Sequence, residues 1–197
     1  MAKSLPIARC KIVVVGDQFC GKTLLLNSFV NKKGRSHELA IFESCVVDFD
    51  IGNNAVTLSL HDISGQEDYE SMRNLTYADA DAFVVCYDVS RRETIKHVEL
   101  KWLPEIRKRC GKDIPFVLVG CKADLRQKLH NNDLHKKALD MVNPKEIERI
   151  AEKCGAYSHY ECSAKTGRNV HPIFEALTRA WLESREDLYD FFTDIYV

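Results

Sequence analysis

The sequence predicts an α/β fold in which helices cover both faces of a mostly parallel, six-stranded sheet. Three observations predict it. Continuous apolar runs at 12–15, 82–87 and 115–119 have the composition of strands buried on both faces. Stretches of helical character follow them, so strand and helix alternate along the chain. One turn signal, Gly52-Asn53-Asn54, joins two strand-like segments directly. With 197 residues, 45% of them hydrophobic, the chain can build one full core, and a single domain over 1–197 is expected.

Taken in order, the strand at 12–15 runs into Gly16-Asp17-Gln18-Phe19-Cys20-Gly21-Lys22-Thr23 and then an amphipathic helix at 24–30. Residues 31–36 read as a polar loop. Residues 43–51 alternate with Val47, Phe49 and Ile51 on one face, and 55–60 return as the hairpin partner. A loop at 61–66 ends that strand. After the strand at 82–87 comes a long helix at 91–110, in which Pro104 is expected to introduce a kink. The strand at 115–119 leads into Gly120-Cys121-Lys122-Ala123-Asp124. A charged helical stretch covers about 130–141, and Pro144 opens a helix that ends near Gly155. A short strand at 157–162 precedes a terminal helix running from Asn169, a candidate N-cap, to about 189. The last residues, about 183–197, read as a helical tail.

Bulk properties exclude several classes. A net charge of −1 gives no electrostatic case for nucleic acid or an anionic membrane. No apolar stretch approaches the length of a membrane span, and 1–11 lacks the apolar region of a signal peptide. Eight cysteines without a C-x-x-C pair argue against zinc, and with no secretory signal they read as free thiols in a reducing cytoplasm. His130 and His135 sit among charges and read as a solvated helix face.

The pattern G-x-x-x-x-G-K-T between a strand and a helix is the P-loop. Backbone N–H groups over Gln18, Phe19, Cys20, Gly21, Lys22, Thr23 and Leu24 are expected to cradle phosphate oxygens at the positive end of the helix. Lys22 would meet the outer phosphates and the Thr23 hydroxyl would ligate Mg²⁺. A plain glycine turn before a helix is the simpler alternative, and a small kinase is also compatible with this motif alone.

Further motifs resolve that choice. Asp62-Ile63-Ser64-Gly65-Gln66 resembles the D-x-x-G-Q motif of small GTPases, Lys122 and Asp124 match the lysine and aspartate of N-K-x-D, and Ser163-Ala164-Lys165 matches S-A-K. Gln66-Glu67-Asp68-Tyr69-Glu70, the stretch 77–88, Asp124-Leu125-Arg126 and the helical segment between Leu125 and Pro144 resemble the Rho family, the last as its insert helix. The resemblance runs over about 11–181. It implies the small-GTPase type of P-loop fold, GTP or GDP with Mg²⁺, and a role for each motif. Asp124 would read the guanine ring nitrogen and amino group, a pattern adenine lacks. Lys122 would lie over the base and the Ala164 N–H would reach the guanine oxygen, with Ser163 and Lys165 in the same loop. Asp62 would hold Mg²⁺ through water, the Gly65 N–H would touch the γ-phosphate, and Gln66 would orient the attacking water. Lys22 and Gln66 are the expected catalytic pair. For Asp124 a helix cap stays open as the structural alternative.

Four positions depart from the family. Gln18 stands where most members have glycine beside the γ-phosphate, crowding Gln66 and any arginine finger, so slow hydrolysis is expected. Ala40 replaces the switch I threonine and has no hydroxyl for Mg²⁺. The loop 31–39 lacks the aromatic that covers guanine, leaving Arg35 as a substitute. Cys121 replaces the asparagine of N-K-x-D, a feature similar to the Rnd subgroup, although Gln66 is retained here. The C-terminus has no C-a-a-X signal, so no lipid anchor is expected on this chain. The resemblance therefore implies an atypical Rho-like switch: monomeric, cytoplasmic or peripheral to a membrane through partners, and presenting 38–43 and 66–75 to effectors, exchange factors and actin regulators. A pseudo-GTPase interaction module with weak or absent nucleotide cycling is the alternative.

Overall fold

The computed structural model describes residues 8–31, 44–52, 54–127 and 141–185. Six strands form one sheet in the order β2-β3-β1-β4-β5-β6, where β1 is Ala8–Gly16, β2 Ser44–Ile51, β3 Asn54–Asp62, β4 Ala82–Asp88, β5 Phe116–Cys121 and β6 Ser158–Glu161. Only β2 and β3 pair antiparallel, as the hairpin signal predicts. The helices are α1 (Lys22–Asn31), α2 (Glu70–Tyr77), α3 (Arg92–His97), α4 (Leu103–Cys110), α5 (Asp124–Gln127), α6 (Pro144–Cys154) and α7 (Val170–Glu183).

Alternation along the central strands builds two cores. Ile12, Val14, Val84 and Cys86 face α1 and α7, where Leu25, Leu26, Phe29, Phe174 and Trp181 meet them. Val13, Val15, Phe83 and Val85 face the other way, against Ile95, Val98, Trp102, Ile106 and Ile147. Because both faces are covered, β4 and β5 are buried along their whole length. The register aligns Gly16 with Cys86, Asp88 with Cys121 and Gly120 with Glu161, so the carboxyl ends of β1, β4, β5 and β6 form one edge. On a sheet of this kind that edge is where ligands bind. A side chain at Gly16, whose φ is +143°, would put its Cβ 2.3 Å from the Cys86 carbonyl oxygen. Only glycine lets β1 turn into the following loop so close to β4.

Three expectations are corrected. The helix at 91–110 is not a single α-helix kinked by proline. A π turn, Val98–Trp102, joins α3 to α4, and the Leu103 N–H reaches back to the Val98 carbonyl. The wider turn falls just ahead of Pro104, whose ring would crowd the carbonyl four residues back and which has no N–H to extend an α register. Asn169 does stand at the N-cap of α7, but its side chain makes no cap hydrogen bond. It takes a left-handed conformation (φ 56°), and its Nδ2 donates to the Glu161 carbonyl at 2.8 Å, tying the start of α7 to β6. The terminal helix stops at Glu183, with Ser184 as its C-cap, before the expected end at 189. The loop 32–39, Ala40, the stretch 130–140 with its two histidines, and the tail 186–197 lie outside the described residues. Among the described residues no helix is long and apolar enough to cross a membrane.

Candidate functional site

Two cavities open at the carboxyl edge of the sheet, and Gly21, Leu24 and Lys122 belong to both. The larger, about 790 Å³, is lined by Gln18, Phe19, Lys22 and Thr23 on one side and by Asp62, Ser64 and Gly65 on the other. The smaller, about 190 Å³, is lined by Cys121, Asp124, Cys162, Ala164 and Lys165. Four separate sequence motifs thus meet in one cleft. The exceptions are informative. Cys20 is buried in the core beneath the loop, Ser163 is buried behind the smaller cavity, and Gln66 is exposed and does not line the larger one.

Residues 16–23 wrap around their own lysine. Lys22 Nζ donates to the carbonyls of Gly16 and Asp17, each at 2.9 Å, and the side chain is nearly buried. The Thr23 hydroxyl donates to an Asp62 carboxylate oxygen, bringing the end of β3 against the first turn of α1. Burial raises the Asp62 pKa, while the Thr23 hydrogen bond and the Lys22 charge oppose the rise. A hydroxyl and a carboxylate side by side are hard oxygen donors, the chemistry that suits Mg²⁺. Opposite them, a Cβ on Gly65 would lie 2.5 Å from the Gly16 oxygen and 2.7 Å from the Gln18 nitrogen. This backbone-on-backbone approach admits no side chain at 65. Gln18 is exposed on the same wall, and its carbonyl accepts from Arg91 at 3.0 Å.

Residues that the motifs do not name hold this arrangement in place. Asp17 accepts from Trp102 Nε1 at 2.9 Å and pairs with His97 Nδ1 at 2.6 Å, anchoring the loop to the helix on either side of the π turn's start. Arg73, 1% exposed, forms a two-pronged pair with Glu105 at 2.7 and 3.1 Å and lies 5.3 Å above the Trp102 ring. Its remaining nitrogen donates to the backbone carbonyls of Ser64 and Gln66. The segment carrying Gly65 is therefore suspended from a buried guanidinium.

At the smaller cavity, Lys122 Nζ pairs with Asp88 at 2.6 Å, and Ser163 donates its hydroxyl to Asp124 Oδ1 at 2.8 Å. Asp124 begins α5 with its carboxylate held by a distant serine. Ala123 donates its N–H to the Cys162 carbonyl at 2.9 Å, carrying the β5–β6 pairing into the loops. Arg126 braces these loops from behind, through Glu161 and the Val142 carbonyl.

Sequence reading alone did not find Asp17, Arg73, His97, Trp102 or Asp88. Asp17 stands at a position that the motif leaves free, and Arg73 lies in a polar stretch indistinguishable from a solvated helix face. Asp17 finds His97 and Trp102, Arg73 finds Glu105 and Asp88 finds Lys122 across 32 or more residues of sequence, and no local pattern announces such pairs.

A cleft made by a P-loop, an aspartate at the end of the neighbouring strand and two loops over the last strands defines the small-GTPase class. The model of the Ras family matches residues 11–183, and the chain belongs to that family. Within it the chain is similar to the GTP-binding protein RHO1 of Candida albicans, 40% identical over 90% of this chain and 90% of that protein. RHO1 of Saccharomyces cerevisiae is 39% identical over 88% of this chain and 84% of its own length. Rho1 of Kluyveromyces lactis is 38% identical over 90% and 86%. The family assignment is therefore to the Rho branch of small GTPases.

Proposed function

We propose that this chain is a Rho-type switch of one G domain over 1–197 that binds GTP or GDP with Mg²⁺ and hydrolyses GTP slowly. The observation that supports the slow step is that Gln18 lines the same cavity as Gly65, whose Cβ would meet the Gln18 backbone nitrogen. Lys22, Thr23 and the loop N–H groups would hold the phosphates, and Asp124, Lys122, Cys121 and the 163–165 loop would hold the base. Thr23 directly, and Asp62 through water, would hold Mg²⁺, which when bound neutralises charge on the phosphate oxygens. Gln66 would orient water from the rim, where Arg73 fixes its backbone. The Gln18 side chain would compete for volume that Gln66 and a partner's arginine finger need, and an arginine finger contributes on the order of 10³–10⁵ in rate.

The relatives' printed names, GTP-binding proteins of the Rho1 kind, support guanine nucleotide as the ligand. Output would pass to effectors through 38–43 and 66–75, the second of which exposes Tyr69, Met72 and Leu75. Actin organisation and cell shape, from the cytoplasm or a membrane periphery, are the outputs this reading implies. Chromatography of the nucleotide released on denaturing freshly purified protein tests it. Mostly GTP is expected. Mostly GDP would overturn slow hydrolysis, and an empty site would replace the switch with a pseudo-GTPase, which Ala40 favours.

A further inference from the structure

Four free, buried thiols lie in one layer beneath the cleft: Cys20 in the loop, Cys86 on β4, Cys121 at the end of β5 and Cys162 just past β6. The last two differ from the others in two respects. Both line the 190 Å³ cavity, whereas neither Cys20 nor Cys86 does. They are also neighbours across the sheet. Gly120 pairs with Glu161, the Cys162 N–H donates to the Gly120 carbonyl at 2.8 Å, and the Ala123 N–H donates to the Cys162 carbonyl at 2.9 Å. Cys121 and Cys162 therefore follow directly on the last paired rung, Gly120 with Glu161, and both belong to the same core. Adjacent strands run about 4.8 Å apart, inside the roughly 4.4–6.8 Å Cα separation that a disulfide spans.

We propose that Cys121 and Cys162 form a dithiol modification site on the floor of the base cavity, closed to a disulfide by a small hydroperoxide. The thiolate of one cysteine attacks the peroxide O–O bond; an S–O bond forms and the alcohol or water leaves. The second thiol attacks that sulfur, the S–S bond forms, and the departing hydroxide takes the thiol proton as water. Two thiols are oxidised and one peroxide is reduced. Cys121 is 3% and Cys162 1% exposed, and the cavity they line is an approach to them. A ligand in the cavity therefore shields them. Cys121 also lies 3.2 Å, by its Cβ, from where a side chain on Gly21 would begin, so the bridge forms at the contact between the base loop and the phosphate loop.

That guanine nucleotide is the shielding ligand rests on the reading above; the bridge itself does not. The test treats the full chain with hydrogen peroxide, once stripped of nucleotide and once loaded with Mg²⁺–GDP, and maps the peptides by mass spectrometry. The stripped protein is expected to fall from eight free thiols to six, through a Cys121–Cys162 bridge that dithiothreitol reverses. GDP is expected to slow the bridge at least tenfold, and the bridged protein to bind GDP at least tenfold more weakly. Cys121→Ser and Cys162→Ser should each abolish the bridge. A bridge to Cys86 or Cys20, or intact thiols after oxidation, would overturn the proposal even if untreated protein binds GDP normally. A Cys121–Cys162 bridge with equal rates in both samples would keep the site and reject the nucleotide as its shield.

Discussion

The two cavities of the cleft are held by different means. Around the larger one, the support comes from far away: Asp17 reaches Trp102 and His97 beyond β4, and the segment with Gly65 hangs from Arg73, itself paired with Glu105 on α4. Around the smaller one, support is an extension of the sheet. Ala123, Cys162 and Gly120 continue the β5–β6 ladder, and Asp124 and Ser163 clasp across it. The first arrangement relies on buried charge, which is costly when half of it is removed. The second adds backbone pairing to its Lys122–Asp88 pair, and backbone pairing tolerates loss of a side chain. Residues near the larger cavity should thus report strongly on folding as well as ligand, and Asp124, outside any buried ion pair, mainly on ligand.

The strongest challenge to that contrast is Arg73→Ala. It strands Glu105 and two carbonyls, and should cost about 3–5 kcal/mol of stability in urea unfolding. A loss below about 1 kcal/mol would mean that Arg73 is not the suspension point. Asp124→Ala is the counterpart at the smaller cavity. It should weaken GDP binding roughly ten- to a hundredfold in calorimetry, while stability without ligand falls by about 1 kcal/mol, the usual worth of the lost Ser163 hydrogen bond. Comparable damage to folding would erase the distinction.

Gln18→Gly sharpens the comparison from inside the larger cavity, because Gln18 is exposed and its bond from Arg91 is to the backbone carbonyl, which the substitution keeps. Single-turnover GTP hydrolysis should rise on the order of tenfold, a barrier change of about 1.4 kcal/mol. An unchanged rate would clear Gln18 as the obstruction. The smallest effect is expected from Asp62→Asn. Burial raises the Asp62 pKa, so the folded chain holds that proton more tightly than the unfolded chain does. The stability this contributes is present at low pH and lost as pH rises through the folded-state pKa. Free of Mg²⁺ and nucleotide, the asparagine variant should therefore melt slightly higher than wild type at neutral pH, with the gap closing on acidification. Mg²⁺–GDP should then stabilise the wild type more. A variant that melts lower at neutral pH would show that Asp62 is held by more than its Thr23 contact.

The fold was legible because its signals are periodic: runs such as 82–87 can only be strands covered on both sides, and Gly52-Asn53-Asn54 marks the one hairpin. The cleft was legible where a motif names a residue, as with Lys22, Thr23, Asp62 and Asp124. It was not legible where a residue works through a partner brought near by folding. Asp17 and Trp102 are 85 positions apart, and Arg73 and Glu105 are 32 apart. The π turn was missed for a related reason, since proline signals disruption without specifying its form.

That turn sets a rotational phase. Each residue of an α-helix advances side chains by about 100°, so the exposed Leu100 inside the widened turn acts as a spacer. Deleting it would allow an ordinary α register through the junction, but Trp102 would then turn away from Asp17 and from Arg73 together. A one-residue length change on the outer surface would in this way reach the phosphate loop and the Gly65 segment at once.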